Sequence, residues 1–195
     1  VEGGRSLTAG LDYKLKSKSG EDKVSINLAQ VYRDEANPDL PSNSTLNNKY
    51  SDIIGNVKFN LLDNLSFEYD FIADNNFNRL NYNLLNTSLS VNNFVTSFEY
   101  LEERGEIGTK SYIKNQTKYL FDKNNSISFA TRRNRELEMT EFYNLVYQYE
   151  NDCLKAAIEY NKNFYSDTDI DPEEQLLFTL TIVPFSKISS TNINK

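Results

Sequence analysis

The chain has 195 residues, a formal net charge of −7 from 28 acidic and 21 basic side chains, and no histidine. That acidic balance argues against nucleic-acid binding, which needs clustered Lys and Arg, and without imidazole a Ser-His-Asp or Cys-His machine is excluded here. A mean hydropathy of −0.62 fits no helical membrane span, since none of the ~18–20-residue apolar runs such spans need is present. It leaves open a β-barrel, where only alternate residues face lipid.

The 26 asparagines are unusual in strands. They suit the wet side of a barrel wall and its turns, and an A·T-rich codon bias would produce them as well.

From Arg5 onward, runs of roughly ten residues alternate apolar and polar, as barrel strands do. The first puts Leu7, Ala9, Leu11, Tyr13 and Leu15 on one face and Thr8, Asp12 and Lys14 on the other. A tight gap, Lys18–Asp22, follows, and later a loose one, Ala36–Tyr50. The Asp63-Asn64 turn joins Val57, Phe59 and Leu61 to Leu65, Phe67, Tyr69, Phe71 and Ala73, whose opposite face reads Ser66, Glu68, Asp70. Two carboxylates behind an unbroken aromatic face suit water on one side and lipid on the other, because an unpaired acid in a soluble core is costly.

Next come a loose gap at Asp74–Arg79 and a tight one at Asn92-Asn93. Phe94, Phe98 and Tyr100 then share a face from which Glu99 points away. The gaps continue with Glu103–Lys110 (loose), Asp122–Asn125 (tight) and Arg133–Thr140 (loose). Tyr143, Leu145, Tyr147 and Tyr149 form another apolar face. Beyond the tight Asn151-Asp152 turn, Leu154, Ala156, Ile158 and Tyr160 oppose Lys155, Glu159 and Asn161. After the loose gap Ser166–Glu174, Phe178, Leu180 and Ile182 oppose Thr179 and Thr181.

Short turns at one end and long loops at the other are the wiring of an outer-membrane barrel. The expected fold is all-β: an antiparallel up-and-down transmembrane β-barrel segment of about eleven strands. Residues 1–195 form one such segment, with 186–195 as a short polar tail. If Leu176–Phe185 runs inward as a closing strand, the loose gaps lie outside and the first strand begins outside. Bacterial barrels have even strand numbers and periplasmic termini, so the expectation is a partial barrel, the C-terminal part of a larger one. Val1-Glu2-Gly3-Gly4 carries no initiator Met or signal sequence, which fits a processed chain or a piece of a longer one.

No catalytic, cofactor or metal site emerges. Four-ligand Cys/His zinc sites are excluded, the seven glycines are scattered, and Glu102-Glu103 and Glu173-Glu174 read as solvated charge. Asp167-Thr168-Asp169-Ile170-Asp171 opens like an EF-hand loop, but Pro172 stands where Gly is required and Phe178 where the bidentate Glu belongs. Arg132-Arg133-Asn134-Arg135 is a basic run at a loose hairpin end, either solvated or facing anionic headgroups. Cys153 has no partner cysteine in this sequence and could bridge only to another segment or chain.

The stretch Asn151-Asp152-Cys153-Leu154-Lys155-Ala156-Ala157-Ile158-Glu159-Tyr160, its continuation to Ile170, and Pro172–Phe185 resemble the last two barrel strands of the lipopolysaccharide-assembly outer-membrane protein family, LptD. Upstream the resemblance is limited to strand rhythm and to the Arg135–Tyr147 region. It implies an integral protein of the Gram-negative outer membrane that inserts lipopolysaccharide into the outer leaflet, with no bond chemistry and no cofactor. The implied partners are lipopolysaccharide, membrane lipid, a plug lipoprotein of the LptE type, and a periplasmic bridge protein met through an N-terminal jellyroll domain. It also implies a lateral gate whose C-terminal side is Leu176, Leu177, Phe178, Thr179, Leu180, Thr181, Ile182, Val183, Pro184 and Phe185. Family cysteines near the penultimate strand form disulfides with the periplasmic region, and Cys153 stands at the matching place. Family members often carry two adjacent cysteines there, whereas here Leu154 follows, so one bridge at most is implied. Another outer-membrane barrel, a porin or receptor, is the first alternative; a soluble β-rich binding module is the second.

Overall fold

The computed structural model describes residues 4–40, 42, 45–105, 108–164, 172–182 and 186–189. They contain strands and no helix. The strands are β1 (Ser6–Lys16), β2 (Asp22–Arg33), β3 (Ile53–Leu62), β4 (Leu65–Ala73), β5 (Leu80–Val91) and β6 (Phe94–Gly105), then β7 (Gly108–Leu120), β8 (Asn125–Asn134), β9 (Met139–Glu150), β10 (Leu154–Asn163), β11 (Glu174–Ile182) and β12 (Ser186–Ser189). All belong to one sheet whose spatial order is the sequence order, β1 to β12. This is the expected all-β, antiparallel, up-and-down meander. The eleven expected strands are β1–β11. The additional β12 lies within 186–195 and pairs Ser186–Ser189 with Thr179–Ile182 of β11.

The turns are sorted less sharply than the sequence suggests. Residues 34–52, 74–79 and 164–173 separate strands widely, but β6 runs on to Gly105 and β7 starts at Gly108, while β8 and β9 are separated only by residues 135–138. Polar residues such as Glu103, Arg104, Thr109 and Lys110 read as loop by composition. In the sheet their backbone stays paired whatever the side chain, because ladder hydrogen bonds do not depend on hydrophobicity.

The chain forms two compact units, Val1–Thr87 with Glu99–Ser111, and Ser88–Phe98 with Tyr112–Lys195. In the first, cross-strand register builds continuous rows. Leu15, Val24, Phe59 and Phe67 make one apolar row, and Tyr13, Ile26, Val57 and Tyr69 the next. On the opposite face, Asp12, Asn27, Asn56 and Asp70 align, as do Lys14, Ser25, Lys58 and Glu68. The second unit repeats the pattern: Tyr119, Ile127, Tyr147, Ile158 and Phe178 form one apolar row, backed by the polar row Gln116, Ala130, Asn144, Asn161 and Gln175.

Burial is the reverse of a soluble sandwich. Among the described residues Ala73 is the only buried hydrophobic side chain, whereas Ser25, Arg33, Ser51, Asp52, Asn83, Thr96, Ser111 and Ser126 are buried. Large apolar groups such as Leu11, Phe98, Ile158 and Phe178 are about half exposed.

Gly55 shows how closely the apolar face is filled. It stands in the row between Leu28 and Phe71, and the Phe71 ring lies across it, so that a Cβ at Gly55 would meet ring carbons at 2.2 to 2.9 Å. A ring laid over a strand glycine covers backbone that would otherwise lack a side chain. Gly55→Ala should therefore push the ring off the strand and cost about 1–3 kcal/mol, read as a lower chemical-denaturation midpoint. Phe71→Leu in the same chain should recover part of the loss; equal midpoints for Gly55→Ala and the parent would refute this packing.

Candidate functional site

The polar face is the part of this molecule with chemistry to offer, and it consists of hydrogen-bonded amides, carboxylates and cations. In the first unit the Asn56 side-chain amide donates to Asp70 at 2.5 Å and to Glu68 at 3.2 Å. The Asn27 amide donates to Asn56 at 3.4 Å, and Lys58 pairs with Glu68 at 2.6 Å. The contacts follow from register: Asn27, Asn56 and Asp70, and Lys58 and Glu68, are directly opposed, and Asn56 and Glu68 are diagonal neighbours on the same face.

Residues 34–52 are tied to this unit by a knot centred on Asp52, only 2% exposed. The Thr45 hydroxyl donates to the Asp52 carboxylate at 2.8 Å, the Asp52 N–H returns to the Thr45 oxygen at 2.6 Å, and the Asn81 amide donates to the other carboxylate oxygen at 2.7 Å. Ser51 accepts from the Val31 N–H at 2.9 Å and donates to the Asp52 carbonyl at 2.8 Å. A buried carboxylate is tolerated when donors surround it. No sequence pattern announces the knot, because it joins residues of the loop to Val31 and Asn81, which are distant in the chain.

In the second unit the Asn144 amide donates to Glu159 at 2.6 Å and to Asn161 at 2.5 Å. Arg132 belongs to the basic run 132–135, yet it is not free for headgroups. Its guanidinium binds Glu141 and lies over the Tyr112 and Phe142 rings, at 5.4 and 5.7 Å from their centroids. Glu141 also accepts from Asn134 at 3.0 Å. The bulge that drops Glu141 from the β8–β9 register places this carboxylate beside the arginine.

The apolar face carries a polar patch that composition alone hides. Thr96, flanked by Phe94 and Phe98, shares a hydrogen bond of 2.8 Å with Thr117, and Asn115 donates to Thr96 at 3.2 Å and to the Ser97 carbonyl at 3.0 Å. These groups satisfy one another, which is what lets them sit among apolar neighbours.

Cys153 is exposed in the turn between β9 and β10. Its N–H and that of Leu154 donate to the Asn151 side-chain oxygen at 3.0 and 2.8 Å. Leu176 to Ile182 of the expected gate strand lie on β11, between β10 and β12, with Leu176, Phe178, Leu180 and Ile182 in the apolar rows. Val183, Pro184 and Phe185, and the EF-hand-like segment Asp167–Asp171, fall outside the described residues.

With this geometry in hand, comparison with known families is decisive: the model of the LptD family, LPS transport system D, matches residues 1–152. The chain belongs to the LptD family. A search of curated proteins gives no match. The family match covers β1 to β9 and ends one residue before Cys153, so it lies mainly upstream of the strands on which the resemblance was most specific. LptD is a transport and assembly family, and membership gives this chain a role in lipopolysaccharide transport, with lipopolysaccharide as substrate and the Lpt machinery as partner.

The tight turn between β7 and β8 is set by one carboxylate. Asp122 accepts from the N–H groups of Asn124 and Asn125 at 2.7 and 2.8 Å and from the Asn125 amide, and these donors hold its carboxyl below the ordinary range. Because the folded pKa lies below the unfolded value of about 3.9, this contribution is complete above that value. It is lost as pH falls through the folded pKa. Asp122→Ala should therefore lower the unfolding midpoint at pH 7 and flatten its decline in acid. An NMR titration placing Asp122 at or above the ordinary aspartate value would refute the assignment.

Proposed function

We propose that this chain forms part of the wall of an outer-membrane β-barrel that inserts lipopolysaccharide into the outer leaflet. The observation that carries the reading is the inverted burial, with half-exposed leucines, isoleucines and aromatics on one face and hydrogen-bonded polar side chains on the other, in a chain of the LptD family. The apolar rows face lipid and the polar rows face a wet lumen. In hydrocarbon every backbone polar group must be satisfied internally, which an uninterrupted antiparallel ladder achieves. Strands of nine to thirteen residues match the ~9–11 needed to cross a bilayer at a tilt.

In this reading the gate strand expected from the sequence, Leu176 to Phe185, forms the C-terminal side of a lateral gate, and its described part, Leu176 to Ile182, lies on β11. A closed barrel offers lipid no exit, so the gate is a deliberately weak edge. The lumen accommodates a plug lipoprotein of the LptE type, and a periplasmic bridge protein delivers lipopolysaccharide. Depleting the chain should lower surface lipopolysaccharide, measured by accessibility to an external modifying enzyme; unchanged surface levels would sink the proposal.

The two faces should differ sharply under substitution. Ile158→Arg, in the apolar row, should cost about 2–4 kcal/mol near the midplane and reduce the heat-modifiable folded band in outer-membrane fractions. Thr179→Arg, on the polar face, should be far milder. Equal losses would refute the assignment of faces.

Cys153 joins another segment through a disulfide in the oxidising periplasm. The chain should show a mobility shift between reduced and non-reduced gels that Cys153→Ser abolishes. A shift that persists in Cys153→Ser, or no shift in the parent, would remove the bridge from the proposal.

A further inference from the structure

One cation of β7, Lys114, is placed where sheet energetics disfavours it. Tyr112, Lys114, Gln116 and Lys118 alternate onto the polar face, and Lys114 stands directly opposite Arg132 of β8. Like charges directly opposed in an antiparallel pair destabilise it. Glu141 compensates Arg132. Among the described residues no ion pair reaches Lys114, Lys118 or Lys123, although the chain as a whole is strongly acidic.

These three lysines form a track. Lys118 follows Lys114 by about 13 Å along the strand, at the usual strand rise. Lys118 and Lys123 then line one cavity of about 550 Å³ at the tight-turn end of β7–β10, together with Ser126, Gln148 and Glu150. Its size is within the range of small-molecule sites. Glu150 is already engaged, by the Gln148 amide at 2.7 Å and by Lys155 at 3.3 Å. Asp152, in the turn, is the other carboxylate on the lining. The lysines have no such engagement. At the Lys114 end of the track, Arg132 is engaged by Tyr112, Phe142 and Glu141. An anion bridging lysines spaced along a strand would sit here beside amides and hydroxyls able to bond a polyol.

We propose that Lys114, Lys118 and Lys123 bind the phosphate groups of a phosphorylated saccharide passing along the polar face. Amide and hydroxyl groups of β8 and β9, such as Ser126 and Gln148, contact its sugar hydroxyls. The proposal rests on the lipopolysaccharide-transport reading and adds to it the part of the substrate recognised and the residues that recognise it. Phosphate–ammonium pairing supplies attraction as point charges without fixed geometry, which suits a ligand that must move on.

The test uses the full-length chain in detergent and three probes: deacylated lipopolysaccharide, the same oligosaccharide after phosphatase treatment, and inorganic phosphate. The variant Lys114→Gln/Lys118→Gln/Lys123→Gln should bind the phosphorylated oligosaccharide at least tenfold more weakly. The dephosphorylated probe should bind weakly and equally to both proteins, and the triple Lys→Arg variant should keep its affinity. Because Lys114→Gln removes a like-charge opposition, that single variant should be at least as stable as the parent, which separates lost binding from lost folding. Unchanged affinity in the Gln variant overturns the proposal, as does equal binding of the two oligosaccharides. Inorganic phosphate binding as tightly as the oligosaccharide makes the site one for free phosphate and overturns the saccharide assignment. Loss of a co-purifying protein with oligosaccharide affinity intact assigns the lysines to that protein and overturns it too. Failure of the transport reading itself shows separately, as surface lipopolysaccharide that does not change when the chain is depleted.

Discussion

Everything else in this molecule depends on main-chain hydrogen bonding between sequential strands. With almost no apolar side chain buried among the described residues, no core of the usual kind holds the fold. The ladder satisfies backbone groups on both sides of each inner strand, so the side chains are released to dress two faces independently. One face can be as apolar as its surroundings demand and the other as polar as a solvated wall. The rows through β1–β4 and through β7–β11 are the result.

That freedom is used differently on the two sides. Apolar side chains contribute shape, as where the Phe71 ring covers Gly55. Polar side chains contribute connectivity. Asn56 links two carboxylates of β4, and Asn144 links Glu159 to Asn161. Asparagine is a poor strand former on intrinsic grounds, but its amide both donates and accepts, so it can join neighbours of either kind. The abundance of Asn in the sequence thus has a structural use on this wall, whatever codon bias contributed.

The strand pattern was largely legible in the sequence, because period-two alternation is a local property: Phe67, Tyr69 and Phe71 against Glu68 and Asp70 announce both the element and its faces. Loop lengths were less legible. Glu103 and Lys110 look like loop residues, yet β6 and β7 extend past them, since ladder bonding is indifferent to side-chain polarity. The basic run at 132–135 reads as a unit in sequence but divides in space. Alternation sends Arg132 to the polar face and Arg133 to the other, and the bulge carries Glu141 to the former. The knot of Thr45, Asp52 and Asn81 could not be foreseen, because it depends on where a long loop returns, and no local pattern encodes that. Thr96 and Asn115 were hidden for a related reason: an isolated polar residue in an apolar row gains meaning only once its cross-strand partner is known.

The Asp52 knot also bears on how the sheet is assembled. In a meander each strand pairs with its predecessor, so most closures span short turns and their entropic cost grows only slowly with length. The step from β2 to β3 is different, because residues 34–48 must close before the first backbone bonds form, between Arg33 and Lys49 and between Val31 and Ser51. Asp52 lies immediately before β3, and its bonds to Thr45 fasten the end of the loop to its own middle. The connection that must be closed is thereby shortened. The same residues that bind Thr45 to the start of β3 in the finished sheet would act as a clasp during growth, leaving the third strand a shorter connection to close as it meets the edge left by the second.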